Sequence, residues 1–340
     1  MRRSDGDRHY AGMRAALTAL AIALVATVAV AGIASARPRS ATTITVRVAP
    51  EWRVPSALWI PMLVARARGY YRSAGIDVEI VLPSESASTT ALLAAGAADL
   101  GFASTPELVY ARRARRPVVA IANLTVHNNW AIFARSGTLI DLSALKGARI
   151  AVDSGVWTNV MLPYLLESAG LHERDVIRVS EPAGVVRPLL RKQVDLAADM
   201  TNFGVAEEQY RAGRPPTVVL GTSAGAPDVP AWAYLGSTSW LQRQPREAKA
   251  WLAATRAGAR YARANPARAV AILERAYPQT RHAHRFNLLS WKATMPLLGA
   301  ARESDEQWSQ LTDAMVKTQQ LDVALPAESY FTNRYLPSVR

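Results

Sequence analysis

Along most of the chain, short segments of alternating apolar and polar residues give way to longer ones with apolar residues three and four positions apart. Residues 43–49 alternate and predict a strand, and residues 57–68 predict a helix stopped by Gly69. The rhythm continues with a strand over 77–82 ending at Pro83, a helix over 86–95 closed by Gly96, a strand over 99–103 and a buried strand over 117–122. Between the last two, Ser104-Thr105-Pro106-Glu107 opens a helix, with proline at its first position. A second set follows: strands at 148–152, 175–180, 195–200 and 217–220, with helices at 157–169, 185–192 and 202–212. Beyond 245 the pattern is helical. Ala248, Trp251, Leu252, Thr255, Ala259 and Ala262 make one stripe, Asn265 is read as the cap of a new helix, and Ser304 with Gln307 makes a capping box before Trp308, Leu311 and Met315.

Strands alternating with helices predict an α/β protein with mostly parallel sheets flanked by helices. Two successive sets of about four units suggest two lobes. The breaker clusters at Asn128-Asn129 and at 227–230 fall between them.

The first residues change the picture. Arg2, Arg3, Arg8 and Arg14 precede an apolar run over 15–33, which ends in Ala34-Ser35-Ala36. This reads as a Sec-type signal peptide over 1–36, which places the protein outside the cytoplasm, in the periplasm. An uncleaved anchor is the competing reading, since a run of this length can just span a bilayer.

Composition closes several routes. The chain has no cysteine, so disulfides, thiolate metal sites, a cysteine nucleophile and a lipidated N-terminal cysteine are all excluded. The five histidines fall in no zinc spacing, and no metal or cofactor is expected. The net charge is +13, but the arginines are scattered, and the run Arg112, Arg113, Arg115 and Arg116 has no aromatic interleaving, so no nucleic-acid partner is expected. No P-loop, G-x-G-x-x-G or Ser/His/Asp spacing argues for an enzyme.

Several stretches resemble a known family. Residues 61–80, PMLVARARGYYRSAGIDVEI, resemble the opening of nitrate-, sulfonate- and taurine-type periplasmic solute-binding proteins. Residues 92–102, LLAAGAADLGF, and 142–152, LSALKGARIAV, are similar to later motifs of the same proteins. The segment 117–128, PVVAIANLTVHN, and the tail 331–337, FTNRYLP, resemble the thiamine-pyrimidine-precursor branch. That branch usually opens with a DWxPNxxH segment. Here 51–59 read EWRVPSALW, so Ser56 and Trp59 stand where Asn and His are expected.

The resemblance implies a type II periplasmic binding protein that serves an ABC importer as a monomer and hands its ligand to a membrane permease. Lobe I would hold 43–127 plus 232–337 and lobe II 132–228, with hinge crossovers near 128–131 and 229–232. The ligand would be a flat heterocycle such as a thiamine pyrimidine precursor, or alternatively a sulfonate, nitrate or other small anion. The fungal pyrimidine synthases also resemble this family, but their iron-binding, cysteine-rich motif has no counterpart here.

In open α/β sheets ligands sit beyond the carboxyl ends of the strands. The loops at those ends supply the candidates. Trp52, Trp59 and Trp157 are read as a stacking slot, with core or rim packing the competing reading for each. Ser104, Thr105 and Ser154 lie at helix starts that favour an anion, or serve there as ordinary caps. Glu51 and Glu85 offer carboxylates to a ring amino group, or are simply solvated. Ser84, Asn128 and Asn202 complete the polar set.

Overall fold

The computed structural model describes residues 43–84, 87–153, 155–182, 184–299 and 302–336. The signal-peptide expectation therefore lies outside the described residues, as do Glu85 and Ser154. Ten strands form: β1 Ile44–Ala49, β2 Ile76–Ile80, β3 Leu100–Ser104, β4 Val118–Asn123, β5 Trp130–Ala134, β6 Arg149–Val152, β7 Ile177–Ser180, β8 Leu196–Met200, β9 Thr217–Leu220 and β10 Trp232–Ser237. They assemble into two five-stranded sheets, ordered β2-β1-β3-β10-β4 and β7-β6-β8-β5-β9. Helices flank both sheets, as the alternating pattern predicts.

The sequence pattern missed β5 and β10. Every residue of both strands is buried, so neither shows the polar alternation that marks a strand with one wet face. These two strands also run against their neighbours. β10 pairs antiparallel with β3 and β4, and β5 pairs antiparallel with β8 and β9. Each follows a passage of the chain from one sheet to the other. An antiparallel strand begins at the edge where its parallel neighbours end, so Trp130 and Trp232 arrive at the carboxyl edges of the two sheets.

The helical tail packs on the first sheet's side of the molecule. Helix Pro245–Ala264 buries Ala248, Trp251, Leu252, Thr255 and Ala262, the expected stripe. It crosses helix Ile60–Ala67 at Gly258, where a Cβ would overlap the Pro61 carbonyl oxygen and crowd Ala65. Only glycine lets these backbones come so close. The Ser304 hydroxyl accepts the Gln307 N–H at 3.3 Å and starts helix Asp305–Lys317, but the expected capping box is only half made, since the Gln307 side-chain oxygen accepts from the Asn123 amide. Asn265 behaves otherwise: its amide donates back to the Tyr261 carbonyl at 3.0 Å and closes the preceding helix without capping the next. No described helix is long and apolar enough to cross a membrane.

Candidate functional site

The carboxyl ends of β1, β3, β6 and β8, with the start of β10, supply the side chains between the two sheets. Glu51 follows β1, and both its carboxyl oxygens are engaged. One accepts the Ser104 N–H at 2.9 Å and the other the indole N–H of Trp232 at 2.7 Å. Burial, with a smaller push from the Glu107 charge, raises its carboxyl to about 8. The expectation that Glu51 is free to meet a ligand is therefore corrected. It braces the ends of β3 and β10 and fixes the base of the loop that carries Trp52.

Trp52 is half-buried and meets two rings edge-on: Phe203 at 5.3 Å and Trp232 at 6.2 Å between centroids. Phe203 and Trp232 are themselves 5.9 Å apart. Trp52 and Trp232 come from the first sheet's side, and Phe203 from the helical turn Thr201–Val205 after β8. The three rings thus bridge the two halves.

Beside them lies a cavity of about 390 Å³. Trp52, Val54, Pro55, Ser56 and Ala57 line it from the first sheet's side, and Asp153, Asp199 and Phe203 from the second's. Phe286, Asn287 and Ser290 of helix His284–Thr294 close the side. The volume and the mix of apolar wall with few polar groups suit a small molecule. Asp199 is the penultimate residue of β8, and burial followed by the Asp153 charge pushes its carboxyl up to about 8. Asp199 Oδ1 accepts the Met200 N–H at 2.6 Å, and Asp153 Oδ1 accepts the Thr158 hydroxyl at 2.8 Å. Gly155 and Gly204 make room for these carboxyls, since a Cβ at either would fall within 2.6 to 2.7 Å of the neighbouring carboxyl oxygen. Among the described residues no cluster of three or more His, Cys, Asp or Glu is placed to hold a metal.

Most of the other expected site residues are tied up elsewhere. Trp59 is a correction: it is fully buried and edge-on to Tyr277 at 5.4 Å, because the turn at 57–59 directs its indole into the core. Trp157 is another. It is packed in the core, and its indole N–H donates to the Ala231 carbonyl at 3.3 Å. Thr105 gives its hydroxyl to the Pro230 carbonyl and its N–H to that of Ala231, so it secures a crossover and caps nothing. The Ser104 N–H is taken by Glu51, which closes the helix start that an anion would need. Asn128 turns its side-chain oxygen to the Trp130 N–H at 2.8 Å. Asn202 is fully buried. Its side chain bonds Asn129 and Thr294, and its carbonyl accepts the Ser290 hydroxyl at 2.6 Å. Ser84 forms an isolated bridge with Ala87, away from the cavity lining.

Of the expected residues that are described, then, Trp52 alone lines the cavity. Sequence reasoning missed Asp199, Phe203 and Asn287. An acidic residue in the otherwise apolar run Leu196–Met200 was the one available signal for Asp199.

Two α/β sheets joined by paired crossovers, with a cavity at their carboxyl edges, define the periplasmic-binding-protein fold. The family model described as NMT1/THI5 like matches residues 57–269, and the chain belongs to that family. Two curated relatives are both named 4-amino-5-hydroxymethyl-2-methylpyrimidine phosphate synthase. The one from Saccharomyces cerevisiae is 23% identical over 64% of this chain and 67% of its own length. The one from Legionella pneumophila is 23% identical over 82% of this chain and 88% of its own length. Among solved structures, the periplasmic aliphatic sulphonate binding protein SsuA from Escherichia coli superposes with a TM-score of 0.65. It is 14% identical and covers 87% of this chain and 94% of its own, a likeness of fold alone.

Proposed function

We propose that the chain is the extracytoplasmic solute-binding component of an ABC importer and that it captures a flat nitrogen heterocycle, such as a thiamine pyrimidine precursor, in the cavity between its sheets. The carrying observation is the ring cluster of Trp52, Trp232 and Phe203, contributed by both halves beside a cavity of about 390 Å³. A planar ligand entering there packs against this cluster, to which both halves contribute, so its binding is linked to closure of the halves. In this reading lobe I holds 43–127 plus 232–337, lobe II holds 132–228, and the hinge lies near 128–131 and 229–232. The Arg-rich start, apolar run and Ala34-Ser35-Ala36 support export to the periplasm. The partner is a membrane permease that receives the ligand from a monomeric carrier.

The sulfonate reading drew on open helix starts at Ser104-Thr105 and at Ser154; the Ser104 N–H is occupied by Glu51 and the Thr105 N–H by the Ala231 carbonyl, while Ser154 lies outside the described residues. The test is calorimetric titration of the purified protein with 4-amino-5-hydroxymethyl-2-methylpyrimidine, with recovery of the compound afterwards. Micromolar or tighter binding, a smaller radius of gyration on saturation and unchanged compound are expected. Absence of binding sinks the ligand, and chemical conversion of the compound sinks the carrier role.

A further inference from the structure

The cations are scattered along the chain, but the fold gathers many of them. Residues 132–228 hold ten lysines and arginines against eleven acids, so that stretch is close to neutral. The helical segments 60–73, 245–264 and 266–276 pack on one another and hold ten cations against two acids. These three segments therefore carry most of the net charge of +13. Of their two acids, Glu274 is buried and its carboxyl is taken by the Asn287 amide and the His284 ring. Glu247, in the first turn of helix Pro245–Ala264, is the one that reaches solvent. Among the described residues none of the ten cations is in an ion pair.

Helix Pro245–Ala264 sets four of them in a row. Lys249, Arg256, Arg260 and Arg263 are seven, four and three residues apart, a spacing that returns each to the same side of a helix. The row runs for about 20 Å. It lies away from the stripe of Ala248, Trp251, Leu252, Thr255 and Ala262 that the helix buries. The exposed positions beside the row are Ala253 and Ala264, side chains too short to hold a flat surface off the cations. Arg263 gives one N–H to the Leu298 carbonyl at 3.0 Å and stays exposed. Lys249, Arg256 and Arg260 have no acceptor among the described residues. On the flank, the Arg68 guanidinium lies 4.7 Å over the Tyr261 ring and adds a further cation.

Like charges left unpaired in a row set up a field of one sign. A row along a straight helix has no concavity that would enclose a small anion. It suits a broad, flat layer of negative charge. A bilayer that contains anionic phospholipid is such a layer. Guanidinium groups bond phosphate oxygens two at a time, and each lysine or arginine near an anionic membrane surface strengthens binding about fivefold. Nucleic acid offers phosphates too, but the row has no free aromatic side chain on which bases could stack, since the Tyr261 ring is covered by Arg68. The Arg-rich start and apolar run over 1–36 favour a place outside the cytoplasm, where a membrane is the nearer partner.

We infer that the face carrying Lys249, Arg256, Arg260 and Arg263 docks this chain on an anionic phospholipid surface. The contact goes beyond ligand capture and leaves the cavity free, because no residue of helix Pro245–Ala264 lines it. A carrier held at the bilayer searches for a membrane partner within a thin layer and not through a volume, which raises the effective concentration of each for the other. The attraction between exposed charges is screened by salt, so the docking is reversible.

The test is co-sedimentation of the purified protein with vesicles of phosphatidylcholine alone or with about one-third phosphatidylglycerol. Binding to the anionic vesicles should be at least about tenfold tighter than to the neutral ones, and about 0.5 M salt should remove the difference. Lys249→Gln, Arg256→Gln and Arg260→Gln together should weaken binding to the anionic vesicles about thirtyfold or more. Arg187→Gln, Arg191→Gln and Lys192→Gln remove as many exposed cations from the near-neutral stretch and should change binding less than about threefold. Equal binding to the two kinds of vesicle, or equal losses in the two triple variants, overturns the inference. Soluble polyglutamate bound as tightly as the anionic vesicles at the same salt would make the row a surface for an acidic protein, and the membrane assignment would fall. The wild-type vesicle comparison decides the matter even if a variant does not fold. None of these outcomes bears on the calorimetric ligand titration, so the two proposals stand or fall separately.

Discussion

Trp59 and Trp52 lie seven residues apart, one in the core and one on the cavity, and their removal should separate stability from binding. Trp59 is fully buried and packs edge-on against Tyr277 at 5.4 Å. Truncation to alanine leaves a cavity under helix Ile60–Ala67, and large-to-small changes of this kind cost about 3–5 kcal/mol. For a chain of this size each kcal/mol lowers Tm by about 2–4 °C, so Trp59→Ala should melt roughly 10 °C below wild type. The Trp59 indole N–H is buried without a partner. Trp59→Phe removes that unpaired donor, worth about 1–3 kcal/mol, and should therefore recover much of the loss. Trp52 is half-buried and loses two edge contacts, so Trp52→Ala should cost about 1–2 kcal/mol of stability. It should weaken binding of a flat heterocycle by about 1–3 kcal/mol, or roughly 5- to 150-fold. Thermal melts of the ligand-free variants and calorimetric titrations measure both quantities. If Trp52→Ala melts as low as Trp59→Ala and binding survives in it, Trp52 is a packing residue and the cavity is not the site.

Three further outcomes follow from packing and charge. Gly258→Ala should destabilise by about 1–3 kcal/mol through overpacking against Pro61 and Ala65; a melt within a degree of wild type would show that the two helices can part without cost. Glu51, Asp199 and Glu303 each titrate near 8 because burial disfavours their charged forms. The folded chain therefore holds protons that the unfolded chain has lost above about pH 4, and stability should fall as pH rises from about 5 to 8. Melts in matched ionic strength should show a higher Tm at pH 5.5 than at pH 8, and a Tm that climbs across that range would contradict the burial of these groups. Lys317 pairs with Glu167 at 2.6 Å and sits 4.1 Å over the Tyr164 ring, but lysine and glutamate are both half-exposed, so Lys317→Ala should change stability by less than about 1 kcal/mol in salt.

The sheets were legible wherever a strand had one wet face or a clear turn at its end. β1, for example, alternates through Ile44–Ala49, and β3 runs directly into Ser104 and Pro106. β5 and β10 were not, because a fully buried strand carries no period that separates it from a buried helix. The site was harder for a related reason. Position along the chain places a residue at a strand end but does not say which way its side chain points. Trp52 follows β1 in an irregular loop and reaches the cavity, whereas Trp59 enters a tight turn that rotates it inward. The polar residues chosen for their loops, Thr105, Asn128 and Asn202, were chosen for the right neighbourhood. They are consumed in tying the chain together where it crosses between the sheets.

The sign of the site could not be inferred from the sign of the chain. A net charge of +13 favours an anionic partner if charge alone decides. Exposed charges act over only about 8 Å at physiological salt, while groups inside a cavity act on a ligand at contact and with little screening. The arginines are scattered along the chain, and among the described residues none lines the cavity. Asp153, Asp199 and Asn287 are among the residues that line it. The local arrangement, and not the net charge, therefore sets the preference. The same separation explains why the shared fold with a sulphonate binder carries so little information about the ligand. The sheets and crossovers set where a cavity opens, and the side chains at the ends of the strands, which differ between proteins of one fold, set what it accepts.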